Sequence, residues 1–248
     1  MSGHSKWKNI AHRKGKQDAT RAQLFTRLCR DIYASARRGG GNPDTNYFLK
    51  MAIDKAKTAS VPSDTINRTL AKALGTLEGV TYEDFMYEGY GAGGVAFLLE
   101  LSSDNRNRTA AEIRHLFSKQ GGSLGESGCV MWMFKRVGEL RFAKDSMTLQ
   151  EDDFTLAILE AGADDYQEQD DEWVVYTSLD LLNAVDQAMR EQGLPCQSIG
   201  IAYVPTTTTE VTDEEIIDKV ETLLFKLEEH DDVQGVYMNA VFAEGTIS

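Results

Sequence analysis

The chain has 248 residues, of which 42% are hydrophobic and 26% charged, with a formal net charge of -13 at pH 7. This is the composition of a globular protein long enough for two or three domains. No apolar run approaches the roughly 18–20 residues of a membrane span, and no apolar core follows the basic N-terminus as a secretory signal would require.

Charge is unevenly distributed. Through Gly75 there are fifteen Lys and Arg against five Asp, a net +10, so the remainder carries -23. The first forty residues alone hold Lys6, Lys8, Arg13, Lys14, Lys16, Arg21, Arg27, Arg30, Arg37 and Arg38 against Asp18 and Asp31, with Trp7 among them. A basic arm of this density leading into an arginine-studded helix is the electrostatic footprint of a polyanion-binding module. These ten cations and Trp7 are the candidate nucleic-acid-binding residues. The acidic remainder repels phosphate and confines contact to one part of the chain.

In chain order, residues 1–17 lack an apolar period and read as an extended arm. From Asp18 a helix is predicted, with Leu24, Leu28, Ile32 and Ala36 on one face, ending at Gly39-Gly40-Gly41. A second helix is predicted from about Asp44 to Ala59. A third follows Pro62, capped by Ser63 or Asp64, with Ile66, Leu70, Ala73 and Leu74 inside. Together they make a basic three-helix bundle.

Beyond Gly79 the period changes. Gly93–Leu101 reads as a strand, Asn105–Gln120 as a helix and Cys129–Phe134 as a second strand, a βαβ unit. The glycines of YEGYGAGGV (87–95) precede the strand, whereas a phosphate-binding turn follows one, so they point to close backbone approach. Arg106 and Arg108 sit in the first turn of the helix, against its dipole, and call for a local carboxylate or anion.

Residues 137–204 then read as β-α-β-β-α-β, the ferredoxin-like order, with helices over Leu149–Ala161 and Leu179–Gln192 and Pro205 closing the module. The module lacks the exposed aromatics of an RNA-recognition motif and is ringed by Asp and Glu. It therefore reads as an interaction or spacing domain. Strand Thr206–Val211, helix Asp213–Glu229 and strand Val233–Phe242 complete the chain.

The fold class expected is α+β and multidomain. Residues 1–79 form a basic helical domain. Residues 80–135 plus 206–248 form an α+β domain, into which 136–205 is inserted as a ferredoxin-like domain. Pairing of the two outer segments covers two otherwise half-buried sheets.

Chemistry-bearing motifs are few. The sequence has no P-loop, HExxH or GxSxG, and its four histidines are scattered. Cys29, Cys129 and Cys196 lie far apart with no CxxC pair, which argues against zinc and against a disulfide framework. No catalytic residue, cofactor or small-molecule substrate is expected.

The segments GHSKW (3–7), HRKGKQDATR (12–21), RRGGGNPDTN (37–46), AIDKA (52–56), YEGYGAGGVA (87–96) and DNRNRTAAEIRHLFSKQGGSLGESG (104–128) resemble the YebC/PmpR family. The likeness spans essentially the whole chain. It implies three domains, with a ferredoxin-like one inserted in another, and a cytoplasmic, non-enzymatic role in binding nucleic acid. The family is generally described as DNA-binding transcriptional regulators. Some members look instead like ribosome-associated translation factors that help synthesis of proline-rich stretches. DNA-binding regulation is the first expectation, and an arm lying along ribosomal RNA the alternative.

Overall fold

A computed structural model describes residues 20–76, 82–144, 151–169 and 171–242. Helices α1 (Thr20–Gly39), α2 (Tyr47–Thr58) and α3 (Ser63–Leu74) form the N-terminal region. Leu28, Ile32 and Ala36 of α1 are buried against Leu49, Ile53, Ala56 and Ile66, each apolar side chain removed from water contributing to the packing. Leu24, expected on the same face, is 45% exposed.

The α1–α2 corner is tied by Asn46. Its side-chain oxygen caps α2 by accepting the Leu49 N–H (3.1 Å), and its amide donates to the carbonyls of Ser35 and Gly40 (2.8 Å each). This explains why α2 starts three residues later than Asp44. Helix α3 is preceded by Pro62 with no side-chain cap, and Ser63 is its first residue rather than its cap. The fixed proline φ sets the helix entry instead.

Backbone packing divides the chain into two compact units, one comprising the residues up to Phe134 together with those from Pro205, the other Lys135–Val204. In the first, β1 (Glu83–Tyr90), β2 (Ala96–Ser103), β3 (Ser123–Leu124) and β9 (Val233–Met238) form a sheet in the order β3-β1-β2-β9. All its pairings are antiparallel, so the βαβ unit expected over 80–135 is not formed. Strand β1 has no counterpart among the predicted elements. A separate parallel pair joins β8 (Thr209–Val211) to β10 (Ala240–Phe242).

Helices α4 (Arg106–Lys119) and α7 (Glu214–Glu228) contribute Ile113, Phe117, Val220 and Leu223 to the core. Phe97 of β2 meets Phe117 edge-on at 5.7 Å. Such a pair adds about 0.5–1.5 kcal/mol beyond its buried area. Gly89, Gly91 and Gly93 serve close approach, a Cβ on Gly89 standing 2.7 Å from the Ser123 carbonyl oxygen, whereas Gly94 has open space around it and a positive φ of 74°.

Two predicted strands differ from the structure for identifiable reasons. Cys129–Phe134 is a loop with a 3₁₀ turn at Met131–Met133, and β4 (Phe134–Ala143) begins only at its end. The Val130 and Met131 N–H groups are bound by the Glu88 carboxylate, and those of Cys129 and Met133 by the local Glu126 and Val130 carbonyls, so none of these four is left for a ladder. Val233–Phe242 is broken at Asn239, whose backbone and side chain both bond Ala96, so β9 and β10 join different sheets.

The second unit carries β4, α5 (Glu151–Glu160), β5 (Asp165–Glu168), β6 (Glu172–Thr177), α6 (Leu182–Glu191) and β7 (Ser198–Pro205), with strand order β5-β6-β4-β7. Pro205 is the last residue of β7, where its missing N–H costs nothing to the ladder. Phe154 of α5 stacks on Trp173 (4.2 Å, 16°) and meets Phe142 edge-on (5.4 Å). Arg141 pairs with both Glu139 (2.7 Å) and Glu172 (2.8 Å) on the sheet.

Candidate nucleic-acid interface

Lys6, Trp7, Lys8, Arg13, Lys14 and Lys16 lie outside the described residues. Arg21 and Arg27 fall on α1, with side chains outside the described ones. The remaining three candidates have separate fates.

Arg30 is an internal clamp. Its Nε donates to the Val233 carbonyl (3.0 Å), and its guanidinium also reaches the Glu228 carbonyl at the C-terminal end of α7. A cation there satisfies orphan carbonyls and complements the helix dipole. Burial draws its pKa down, opposed by Glu228 and Asp31. Arg37 is half-exposed and pairs with Asp84 at 2.6 Å. Arg38 is exposed and forms no ion pair among the described residues.

The contacts around Arg30 and Arg37 continue as a polar seam between the helices and the β1–β2–β9 sheet. Tyr33 donates its hydroxyl to Asp84 (2.8 Å) and lies 2.8 Å from the Ser102 hydroxyl. Burial, with Asp84 alongside, pushes the Tyr33 phenol up to about 12.

At the other end sits Asp232, 5% exposed. One carboxylate oxygen accepts hydrogen bonds from Thr109 (2.6 Å), Ser103 (2.8 Å) and Arg108 (3.2 Å), and Lys72 of α3 stands 3.9 Å from the other. Burial raises the Asp232 pKa, but these donors and Lys72 outweigh it and hold the carboxyl below its ordinary range. Arg108 also pairs with Asp104 at 2.9 Å. The first-turn arginine thus takes carboxylates as its partners, and Arg106 lies over the Phe85 ring at 5.0 Å.

Glu112, His230 and Asp232 bring potential ligand atoms within 4.8 Å of one another. The atoms are already engaged, however. His230 Nδ1 accepts the Asp232 N–H (3.2 Å) and its Nε2 faces Glu112 (3.0 Å). With Asp232 bound to three donors, the cluster is a hydrogen-bonded corner and not a metal site.

The seam engages Arg30 and Arg37 of α1 and Lys72 of α3 and leaves outer cations. Lys50, Lys57 and Arg68 are exposed and, among the described residues, form no ion pair. Lys50 and Lys57, seven residues apart on one face of α2, help to line a cleft of about 500 Å³ between α2 and α3, with Asp54 between them. They belong to the basic outer faces predicted for the bundle but fall outside the set of candidate residues. Their helical spacing is the signal that places them outward. Among the described residues of this region, Arg38, Lys50, Lys57 and Arg68 are therefore exposed and outside any ion pair.

The family model described as the TACO1/YebC protein N-terminal domain matches residues 5–76, and that of the TACO1/YebC second and third domain matches residues 82–240. The chain is 49% identical over 244 residues to a "Probable transcriptional regulatory protein" of Desulfitobacterium hafniense, covering 98% of this chain and 97% of that one. It is 51% identical over 239 residues to a protein of the same description from Halothermothrix orenii, covering 96% and 94%. Among solved structures, the conserved hypothetical protein Aq1575 from Aquifex aeolicus superposes with a TM-score of 0.78 at 40% identity, covering 98% of this chain and 99% of that one. Across the helical region and both α+β units, this chain belongs to the TACO1/YebC family.

Proposed function

We propose that this protein is a cytoplasmic, non-enzymatic regulator of transcription that binds duplex DNA through its basic N-terminal arm and the outer face of its three helices. The observation that carries this reading is the charge split, +10 through Gly75 against -23 beyond it. Lysines and arginines of the arm, with Arg38, Lys50, Lys57 and Arg68, neutralise phosphates and release counterions, which supplies affinity without reading sequence. The relatives described as probable transcriptional regulatory proteins support the same role. In this reading residues 1–79 are the binding domain, 80–135 with 206–248 its acidic support, and 136–205 an inserted ferredoxin-like domain kept off nucleic acid by its charge.

A second reading is favoured by Arg30. Its engagement with Val233 and Glu228 takes from α1 one of the candidate nucleic-acid-binding arginines, and with it a side chain of the type that reads base edges. Binding limited to phosphates suits ribosomal RNA as well as DNA.

The test is binding to random duplex DNA through a salt series, alongside co-sedimentation with ribosomes. Alanine at Lys6, Lys8, Arg13, Lys14 and Lys16, and separately at Arg38, Lys50, Lys57 and Arg68, should each flatten the salt dependence. The log–log slope should fall by about 0.9 for each phosphate no longer neutralised. Unchanged binding in either set removes that set from the interface. Ribosome retention at salt that abolishes DNA binding would favour the RNA reading.

A further inference from the structure

The loop between β3 and β4 has no part in the interface above, yet it is firmly built. Glu88 of β1, 5% exposed, accepts the N–H groups of Gly128 (2.6 Å), Val130 (2.7 Å) and Met131 (2.8 Å). Tyr90 donates its hydroxyl to the Cys129 carbonyl (3.0 Å). At the far end, the Met133 carbonyl accepts both the N–H (2.7 Å) and the hydroxyl (3.0 Å) of Thr206. Burying a carboxylate is costly, and three charge-assisted bonds offset that cost only by fixing the loop around it.

What this scaffold presents is Trp132, at the centre of the 3₁₀ turn and 66% exposed. Its indole N–H donates to the Cys129 carbonyl (3.1 Å), so the ring is oriented and its one donor is already used. Only the ring itself remains for a ligand. Its direct chain neighbours Met131 and Met133 are half-buried, and the exposed residues earlier in the loop, Glu126, Ser127 and Gly128, are polar or small. A stable protein interface needs about 800 Å² from each partner, with an apolar centre. One exposed ring between two half-buried methionines falls short of that area, but it suffices for one nucleobase.

We propose that Trp132 is a stacking platform for an unpaired base of single-stranded nucleic acid, an inference that rests on the nucleic-acid-binding reading above. Every base has a π-face, so the platform is tolerant of sequence. The platform takes an extruded base, while charge-driven affinity stays with the N-terminal region.

The three tryptophans make the test direct. Trp173 is buried and stacked on Phe154, so Trp7→Phe in the full chain leaves Trp132 as the exposed reporter. Its emission is followed while oligo-dT or oligo-U of about 12 nucleotides, and a duplex of equal length, are added and their binding is read by anisotropy. Single strands should quench Trp132 and the duplex should not. Trp132→Ala should bind single strands about tenfold more weakly and the duplex equally well, while Trp132→Phe keeps most of the affinity. Single strands that bind without quenching, or that bind Trp132→Ala undiminished, would overturn the platform and leave the phosphate reading standing. Failure of every oligonucleotide to bind would overturn both.

Discussion

Replacing Glu88 by alanine tests how the loop that carries Trp132 is held. The change removes the acceptor of three backbone N–H groups, at Gly128, Val130 and Met131. Gly128 is exposed and Met131 half-buried, so water can reach the first and partly reach the second, whereas Val130 is wholly buried. An unsatisfied buried donor costs about 1–3 kcal/mol, and each rehydrated bond forfeits a net contribution of about 1 kcal/mol. The expected loss is therefore about 3–5 kcal/mol. In a unit of this size each kcal/mol moves the melting temperature by roughly 2–4 °C, so a fall of about 6–20 °C is expected by calorimetry. Glu88→Gln, which keeps a carbonyl acceptor, should lie between the two. Hydrogen exchange at residues 128, 130 and 131 locates the effect, and those amides should lose protection first. A shift below about 2 °C with the three amides unchanged would show that Glu88 does not organise the loop.

Arg30 and Arg38 should separate structure from binding. Arg30→Ala should cost about 2–3 kcal/mol of stability and leave the DNA affinity of the folded protein unchanged. Arg38→Ala should leave the melting temperature in place and reduce the DNA salt slope by about 0.9; the reverse pattern would exchange their roles. Asp232, its folded pKa held below the ordinary 3.8, contributes stability that is fully present above the unfolded pKa and lost as pH falls through the folded one. Asp232→Asn should therefore flatten the stability–pH curve below about pH 4, leaving the slope above about pH 5 as in the wild type. Identical acid slopes in the two proteins would refute this assignment.

The helices are legible in the sequence because a repeat such as Leu28, Ile32 and Ala36 records burial on one face, and that burial is what holds each helix in place. Strand β1 is not legible: EDFMYEGY has a buried glutamate where a strand shows an apolar side chain, and its half-buried pattern breaks alternation. Cys129–Phe134 misleads in the opposite direction. Its apolar run has strand composition, but the Val130 and Met131 N–H groups go to Glu88, some forty residues earlier, a partner no local period reveals. Arg30 reads as a surface cation for the same reason, since its acceptors lie about two hundred residues away. The carboxylate called for at Arg108 is half legible: Asp104 is a local i,i+4 partner, and Asp232 is not.

The acidic body gives the charge split a structural consequence. Arg37 meets Asp84, Lys72 meets Asp232, and Arg30 meets the Glu228 carbonyl at the end of α7 and the Val233 carbonyl of β9, so these cations of the helical region are engaged by the sheet it packs on and the segments beside it. Were those carboxylates absent, inward and outward cations would attract a polyanion alike, and phosphate binding would compete with docking of the helices. With them present, Arg38, Lys50, Lys57 and Arg68 stay outward without ion-pair partners among the described residues. The same negative charge that stabilises the seam repels phosphate from the rest of the molecule, and under the proposed function it would restrict where a duplex binds. Neutralising Asp84 and Asp232 together should for this reason weaken the docking of the helices even where the affinity of the basic face for DNA rises.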